Sequence, residues 1–178
     1  MNVRTLCLGM LSRCECSGYE IKKAIEEGMF SHFIDASFGS IYPALTQMTA
    51  EGLLTVRAEE QTGRPDKKVY AITADGKKAL AKALTVKPAK DKFKSEFLFQ
   101  MLLNDFISRD MLLAAIDKQL ADLNEDLDRI RQCQSRGDID YGERFVGGYG
   151  HAVLSAAVIY LEQRKTELLN KPAVQAAE

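Results

Sequence analysis

The sequence predicts a mainly α-helical protein with one small β-hairpin, which places it in the α+β class. Three observations support this prediction. Apolar residues recur at helical spacing through most of the 178 residues. Two short runs in the first half alternate apolar and polar residues and flank a Gly-Pro turn. In the second half, isoleucines and leucines repeat at intervals of four and three, as they do along a helix that packs against another helix.

The first two helices are predicted from an apolar face and from a capping motif. Ser17 and Glu20 have the spacing of a capping box, in which each residue satisfies a backbone donor of the other. A second helix therefore begins directly after Ser17 and covers residues 18–27. The first helix covers residues 2–13, where apolar side chains recur at helical spacing as Val3, Leu6, Cys7, Met10 and Leu11.

Residues 39–51 are predicted to form the third helix. Either Ser37 or Ser40 supplies the side-chain oxygen that caps its start. Pro43 is comfortable only in the first turn of a helix, because it lacks a backbone N–H. Gly52 is placed to end the helix in a left-handed conformation. The apolar face of this helix is formed by Leu45, Met48 and Leu53.

A β-hairpin is predicted after the third helix. Leu54 and Val56 alternate with polar residues, and Val69–Ile72 is a second β-prone run. Between them, residues 61–68 form a Gly/Pro turn that carries three cations against one anion. A helix followed by a hairpin with a cationic tip is the sequence form of a winged helix-turn-helix.

These residues resemble the PadR family of transcriptional regulators. The family pattern is Ser-x-Gly-x-Ile-Tyr-Pro-x-Leu, then Glu-Gly-Leu, then Gly-Arg-Pro-x-x-Lys-x-Tyr-x-Ile-Thr. The three blocks occur here in that order at Ser37–Leu45, Glu51–Leu53 and Gly63–Thr73. The sequence departs from the pattern at Gln47, where members usually carry a basic residue, and at Thr49, where they carry an acid. The layout is similar to AphA-like members, which have a long helical C-terminal half.

The resemblance implies a sequence-specific transcriptional regulator, such as a repressor, that binds a palindromic operator as a homodimer. The third helix would then lie in the major groove. Gln47 either makes a bidentate contact with adenine or remains solvated, and Lys68 either contacts phosphate or braces the hairpin. Tyr19 and Lys22, near a helix N-terminus that attracts phosphate, either hold the DNA backbone or are a half-buried tyrosine and a solvated lysine. The predicted DNA-binding residues are Tyr19, Lys22, Ser37, Gly39, Ser40, Tyr42, Pro43, Gln47, Arg64, Lys67 and Lys68.

A domain boundary is predicted after a fourth helix that starts near Thr73 and ends near Leu84. Residues 85–91 contain a proline and several charges, as linkers do. We therefore predict the DNA-binding domain at residues 1–85, a linker at 86–90, a helical dimerisation domain at 91–171 and a frayed tail at 172–178.

The second half is predicted to be helical and to form the dimer through a seam of heptad-spaced residues and a final helix. A small aromatic effector is expected from the resemblance. Its candidate pocket is lined by Phe93, Phe97, Phe106 and Tyr149, for which ordinary core packing is the alternative interpretation. The predicted dimerisation residues are Ile116, Leu120, Leu123, Leu127, Ile130, Val153, Ala157, Tyr160 and Leu161.

The net charge of −1 gives no general attraction for DNA. Residues 1–85 contain 11 Lys and Arg against 10 Asp and Glu, and the remainder contains 13 against 15. Binding must therefore depend on local clustering, which we assign to Arg64, Lys67 and Lys68.

A cytoplasmic location is expected from composition. The N-terminal residues lack the apolar core of a signal peptide, and no apolar run approaches the roughly 20 residues that cross a membrane. Four cysteines fit a reducing compartment better than a disulfide framework.

Catalysis, metal binding and cofactor binding find little support in the sequence. Gly147–Gly150 lacks the Lys-Ser/Thr of a phosphate loop, and Cys14 and Cys16 have no second pair at metal-binding spacing, even with His32 added. We expect no enzyme, cofactor or metal. Two rival functions remain: a winged-helix module that binds protein without DNA, and a small-molecule-binding or enzymatic helical protein.

Overall fold

The computed structural model describes residues 2–26, 38–61 and 64–170. In this part, seven α-helices, three β-strands and one short 3-10 helix (Asn104–Phe106) are present. The principal elements are α1 (Val3–Leu11), β1 (Cys16–Ser17), α2 (Gly18–Glu26), α3 (Phe38–Ala50), β2 (Leu54–Gln61), β3 (Arg64–Ile72), α4 (Ala74–Leu84), α5 (Glu96–Leu102), α6 (Arg109–Gln134) and α7 (Tyr141–Asn170).

Contacts divide the chain into two units, residues 1–91 and residues 92–178. The first unit contains α1 to α4 and the sheet, and the second contains α5 to α7. Residues 87–95, which include most of the expected linker, form neither helix nor strand.

The first unit is built around one apolar core. α1 packs against both α3 and α4, and α2 packs against α3. Because each of these helices buries one apolar stripe, the predicted amphipathic pattern is confirmed. The largest fully buried side chains are Ile21, Ile41, Leu45, Met48 and Cys7.

The sheet is antiparallel, with strand order β1-β3-β2. β2 and β3 form the predicted hairpin, in which Leu54 lies opposite Ile72. The short strand β1 adds Cys16 opposite Tyr70 on the other side of β3. The predicted fold class, mainly α with a small β-hairpin in a winged helix-turn-helix, is confirmed.

The extent of the hairpin turn was predicted incorrectly. The strands run to Gln61 and from Arg64, so the cationic residues expected in a turn at 61–68 lie mostly in β3. Lys67 pairs in register with Glu59, an opposite-charge pair across the strands. A register irregularity between Glu59 and Gln61 interrupts the ladder there. The alternation of apolar and polar residues therefore does not predict this part of the strands.

The start of α3 also differs from expectation. The helix begins at Phe38, so Ser40 is its third residue and does not cap it, and Ser37 lies outside the described residues. Pro43 is the sixth helical residue, in the second turn rather than the first. The end is as predicted: Gly52 has φ +75°, and the Leu53 backbone N–H donates to the Met48 carbonyl at 2.9 Å.

The second unit is an antiparallel hairpin of α6 and α7, with α5 packed on α6. Lys165 pairs with Asp117, and the Arg109 guanidinium donates to the Leu169 carbonyl. The buried residues at the centre are Ile116, Leu123 and Leu161, with Leu120, Leu154, Ala157, Val158 and Leu168 packed against them.

This packing corrects the predicted dimer seam. Ile116, Leu123 and Leu127 are buried within the chain, and Ile116 and Leu123 belong to the cluster that includes Leu161 of α7. The heptad pattern recognised a helix–helix contact but assigned it to the wrong partner, because spacing does not distinguish a contact within a chain from one between chains.

α7 remains apolar on the face that points away from α6. By length and composition it qualifies as a candidate membrane span, with a mean hydropathy of 1.2 over 18 residues of which 6% are buried. The expectation that no segment has this character was therefore wrong. The exposed large side chains on α7 include Phe145, Tyr149, Val153, Ile159 and Tyr160.

Candidate nucleic-acid interface

One face of α3 is exposed. The opposite face is anchored by Ile41, Leu45 and Met48, which are fully buried. Ser40 is half-buried and takes part in an interaction within the chain. The exposed residues of the face, apart from the helix end, are Gly39, Tyr42, Pro43, Thr46, Gln47 and Ala50.

The N-terminus of α2 lies beside this face. A Cβ atom at Gly18 would come within 2.6 Å of the Tyr42 ring, so Gly18 allows α2 and α3 to approach closely. Tyr19, the next residue, is 65% exposed. Its exposure rules out the half-buried alternative and leaves the ring available at the end of α2. Lys22 is half-buried and takes part in an interaction within the chain.

The predicted capping box is present at the start of α2. The Ser17 backbone N–H donates to Glu20 Oε2 at 2.8 Å, and the Glu20 N–H donates to Ser17 Oγ at 3.3 Å. The Ser17 backbone N–H and the Ser17 hydroxyl both donate to Glu20 Oε2, and these two hydrogen bonds, with a further one from Lys67, lower the pKa of Glu20 to about 2. The Lys67 ammonium lies 3.0 Å from Glu20 Oε1, so it joins α2 to β3.

The cations of the β2–β3 hairpin, which is the wing, differ in their surroundings. Lys67 provides the bracing contact that was considered for Lys68, whereas Lys68 is exposed opposite Ala58 on β2. The side chain of Arg64 and all of Ser37 lie outside the described residues.

Three side chains, those of Arg4, Glu51 and Gln47, interact in series from α1 to α3. Arg4 Nη1 donates to Glu51 Oε1 at 2.9 Å, and Nη2 donates to Oε2, so the two side chains form a bidentate pair. Hydrogen bonding to Arg4 lowers the pKa of Glu51, and a hydrogen bond from the Gln47 side chain lowers it further.

Two features of the surface were missed in the sequence. Thr46 shares the exposed face of α3, and helical spacing from Gly39 and Tyr42 would have identified it. The second is a lysine-rich segment, residues 76–95, with seven lysines and one aspartate. Its net charge of +6 leaves −7 on the remaining residues, which contain 17 Lys and Arg against 24 Asp and Glu. The charge counts for residues 1–85 and for the remainder do not reveal this segregation, because the segment spans the boundary between them.

The expected effector pocket is not assembled within the second unit. Phe93 is 83% exposed and Phe106 is 87% exposed, and Tyr149 is also exposed. Phe97 instead packs against the core of the α6–α7 hairpin. A shallow cavity lies elsewhere, at the α6–α7 turn, and is lined by Gln134, Arg136, Gly137, Ile139 and Arg144.

Two of the four cysteines are buried thiols, and Cys14 and Cys133 are exposed. Cys7 and Cys16 are buried, and burial raises their pKa to about 11 and about 12, so both remain thiols at neutral pH. No cluster of three His, Cys, Asp or Glu residues occurs among residues 2–26, 38–61 and 64–170. His32 lies outside these residues.

Comparison with known proteins relates both units to transcriptional regulators. Residues 7–82 match the Transcriptional regulator PadR-like family. The chain is 32% identical over 123 residues to the negative transcriptional regulator PadR of Bacillus subtilis. The aligned residues cover 66% of this chain and 67% of that protein.

Solved structures share the fold over most of their length. A PadR-like transcriptional regulator from Bacillus cereus has 31% identity and a TM-score of 0.78, covering 93% of this chain and 94% of that one. Bacillus subtilis PadR in complex with operator DNA has 26% identity and a TM-score of 0.73, covering 93% and 98%. The same protein in complex with p-coumaric acid has 24% identity and a TM-score of 0.68, covering 95% and 96%. The virulence activator AphA of Vibrio cholerae shares the fold at 20% identity and a TM-score of 0.64, covering 94% and 98%.

Proposed function

This chain belongs to the PadR-like family of transcriptional regulators, and we propose that it binds a palindromic DNA operator as a homodimer. The observation that carries the proposal is the exposed face of α3, which lies beside the N-terminus of α2. A helix with small side chains on its outer face can approach the floor of the major groove, and the N-terminus of α2 can hold a flanking phosphate.

Within this proposal, the predicted DNA-binding residues divide into those that face the bases and those that face the backbone. Gln47 reads a base edge, with Thr46 added as a contact for a thymine methyl group. Tyr42, Pro43, Gly39 and Ser40 set how closely α3 approaches. The remaining residues contact the phosphate backbone or the minor groove, namely Tyr19, Lys22, Ser37, Arg64 and Lys68, while Lys67 supports them by holding β3 against α2.

Selection of bound sequences from a random duplex pool at near-physiological salt tests the proposal. We expect an inverted repeat with half-sites separated by about one helical turn or a multiple of it. No preference for any duplex over unrelated competitor would contradict it. Replacing Lys68 and Arg64 with alanine should weaken DNA binding, whereas a protein-binding module would keep its partner.

The dimer is proposed to form through the outer face of α7. Val153 and Tyr160, two of the predicted dimerisation residues, are exposed there, whereas Ala157 and Leu161 face α6. The middle of α7 is apolar on the side that α6 covers and on the opposite side, so burial of both sides stabilises it. Lipid is a poor occupant, because α6 runs alongside and carries exposed ion pairs such as Lys118 with Asp122.

Val153→Glu tests the proposed interface. We expect the variant to sediment as a monomer under conditions in which the wild type is a dimer, because the new carboxylate would be buried without a partner. Gln132→Glu adds the same charge to the exposed surface of α6 and serves as the control. A monomeric wild type would contradict the proposal.

An aromatic effector is the remaining part of the proposal. Bacillus subtilis PadR has been solved with p-coumaric acid, and Phe93, Phe106 and Tyr149 expose rings on which such a molecule can stack. We propose that a second copy of the chain completes this pocket. Titration of the DNA complex with p-coumaric acid and related phenolic acids should release DNA, and the absence of release by any of them would contradict an aromatic effector. A regulator with this role acts where its operator is, in the cytoplasm.

A further inference from the structure

Gln47 is the one long, non-aromatic polar side chain along the centre of the exposed α3 face. Its exposed neighbours toward the groove are short or rigid: Gly39, Pro43, Thr46 and Ala50. A side chain that projects beyond such a surface meets the base edges first. The base preference of this chain therefore depends strongly on how the Gln47 amide is held.

The Gln47 amide has a neighbouring carboxylate. Glu51 follows the last residue of α3, and its backbone N–H donates to the Gln47 carbonyl at 2.9 Å, so the two side chains are i,i+4 neighbours. A hydrogen bond from the Gln47 side chain contributes to the lowered pKa of Glu51. An ionised carboxylate only accepts hydrogen bonds, so the amide nitrogen of Gln47 must face Glu51. The amide oxygen then points the other way.

Glu51 is itself held from another helix. The two terminal nitrogens of the Arg4 guanidinium donate to the two Glu51 oxygens, and this pair connects the first turn of α1 to the residue that follows α3. The interaction raises the pKa of Arg4 and lowers that of Glu51, so both remain charged at neutral pH. A planar fork bound to a carboxylate fixes orientation better than a lysine contact does.

We propose that Arg4 and Glu51 are positioning residues that orient Gln47 to read adenine. One amide N–H is used by Glu51. The other N–H and the amide oxygen remain free, and together they match the N7 acceptor and the N6 donor of adenine. Arg4 has a second effect, since its positive charge offsets the charge of Glu51, which would otherwise repel phosphate. The inference rests on the proposed DNA-binding function.

The test measures base preference at each position of the inverted repeat selected from the random duplex pool. For the wild type we expect adenine to be favoured by about 5- to 150-fold at one position of each half-site. Gln47→Ala should remove the preference at that position alone. Arg4→Gln and Glu51→Gln should each reduce it by at least about threefold, with Arg4→Lys intermediate, and should leave the other positions unchanged.

Two comparisons separate positioning from general stabilisation. Arg57→Gln removes another exposed ion pair of the same unit, that between Arg57 and Glu15 at 3.0 Å, and should leave the preference intact. The double variant Arg4→Gln/Gln47→Ala should discriminate no worse than Gln47→Ala, because the two residues act through one amide. Thermal unfolding of each variant confirms that it is folded.

The outcomes distinguish the two claims. A wild type without any sequence preference would overturn the proposed function. A wild type that selects an inverted repeat, together with an Arg4→Gln variant of unchanged preference, would overturn the positioning role alone. Equal loss of preference in Arg57→Gln would also overturn it.

Discussion

At the scale of single residues, Glu20 shows how a local motif acquires a long-range partner. Its carboxylate caps α2 through Ser17 and also receives the Lys67 ammonium from β3. The capping half was predictable from a spacing of three residues. The Lys67 half was not, because the partner lies 47 residues away in sequence and depends on the sheet register.

This network makes stability depend on pH. The folded pKa of Glu20, about 2, lies below its ordinary value of 4.5. Its contribution is therefore complete above about pH 4.5 and is lost as the pH falls through 2. Because the side chain is 48% exposed, solvent screening limits the contribution to about 1 kcal/mol.

The corresponding prediction compares the wild type with Glu20→Gln. We expect the wild type to be more stable to urea at neutral pH and the difference to disappear as the pH approaches 2. The Lys67→Met variant should also be more stable than Glu20→Gln at neutral pH, because it keeps the hydrogen bonds from Ser17 to the Glu20 carboxylate. These hydrogen bonds are the larger cause of the lowered pKa of Glu20. Parallel curves for the wild type and Glu20→Gln over the acid range would exclude the effect.

Position 76 requires glycine because the backbone of Leu53 approaches it closely, and not because of a turn. A Cβ atom there would lie 2.2 Å from the Leu53 carbonyl oxygen and 2.7 Å from Ile72 Cγ1. Gly76→Ala should therefore lower the free energy of unfolding by about 1–3 kcal/mol. The matched change Gly9→Ala, inside α1 with no atom within 4 Å, should raise it by up to about 1 kcal/mol. Urea unfolding measures both, and two changes of the same sign would contradict the contact.

At the scale of elements, the helix ends of the first unit followed from sequence except for the start of α3, whereas the packing partners in the second unit did not. Ser17, Gly52 and Thr73 mark boundaries by short-range chemistry, and each stands at the helix end where it was expected. Thr73 Oγ1, for example, accepts from the Gly76 N–H at 3.0 Å. The seam on α6 had the right spacing, yet α7 covers it, since a six-residue connection, residues 135–140, lets the chain fold back on itself.

The α6–α7 hairpin has a thin core, so single truncations should be costly within it. Leu161 is buried among Ile116 and Leu123, and Leu161→Ala should destabilise the hairpin by about 2–4 kcal/mol. Leu169→Ala removes the same atoms from an exposed position of α7 and should change stability by less than about 0.5 kcal/mol. Loss of helical circular dichroism on heating provides the measurement. Similar melting of the two variants would show that Leu161 is not enclosed.

At the scale of the whole molecule, near neutrality hides two opposed charge populations. The lysine-rich segment carries +6 and the rest of the chain −7. Cations elsewhere are frequently paired, as in Arg129 with Asp126 and Arg131 with Asp128. The net charge of the chain therefore does not indicate its affinity for DNA, and the positions of individual cations must be considered instead.

Lys68 provides the corresponding prediction. It is exposed on the wing and makes no ion pair with any other described residue. Lys68→Gln should weaken binding to all duplexes alike and reduce the slope of log affinity against log salt by about 0.9. Lys118→Gln makes the same charge change on α6, where Lys118 pairs with Asp122, and should leave the slope unaltered. A slope that responds equally to both changes would indicate that only net charge matters.

The contact between Leu53 and the start of α4 has a mechanical consequence. The Leu53 carbonyl accepts from both the backbone N–H and the hydroxyl of Thr73, at 3.1 Å and 3.0 Å, and Gly76 lies directly against it. The end of α3 and the start of α4 are thus tied at one carbonyl group, so we expect a displacement of α4 to be passed to α3. We expect residues 87–95, which form neither helix nor strand, to bend more easily than this contact.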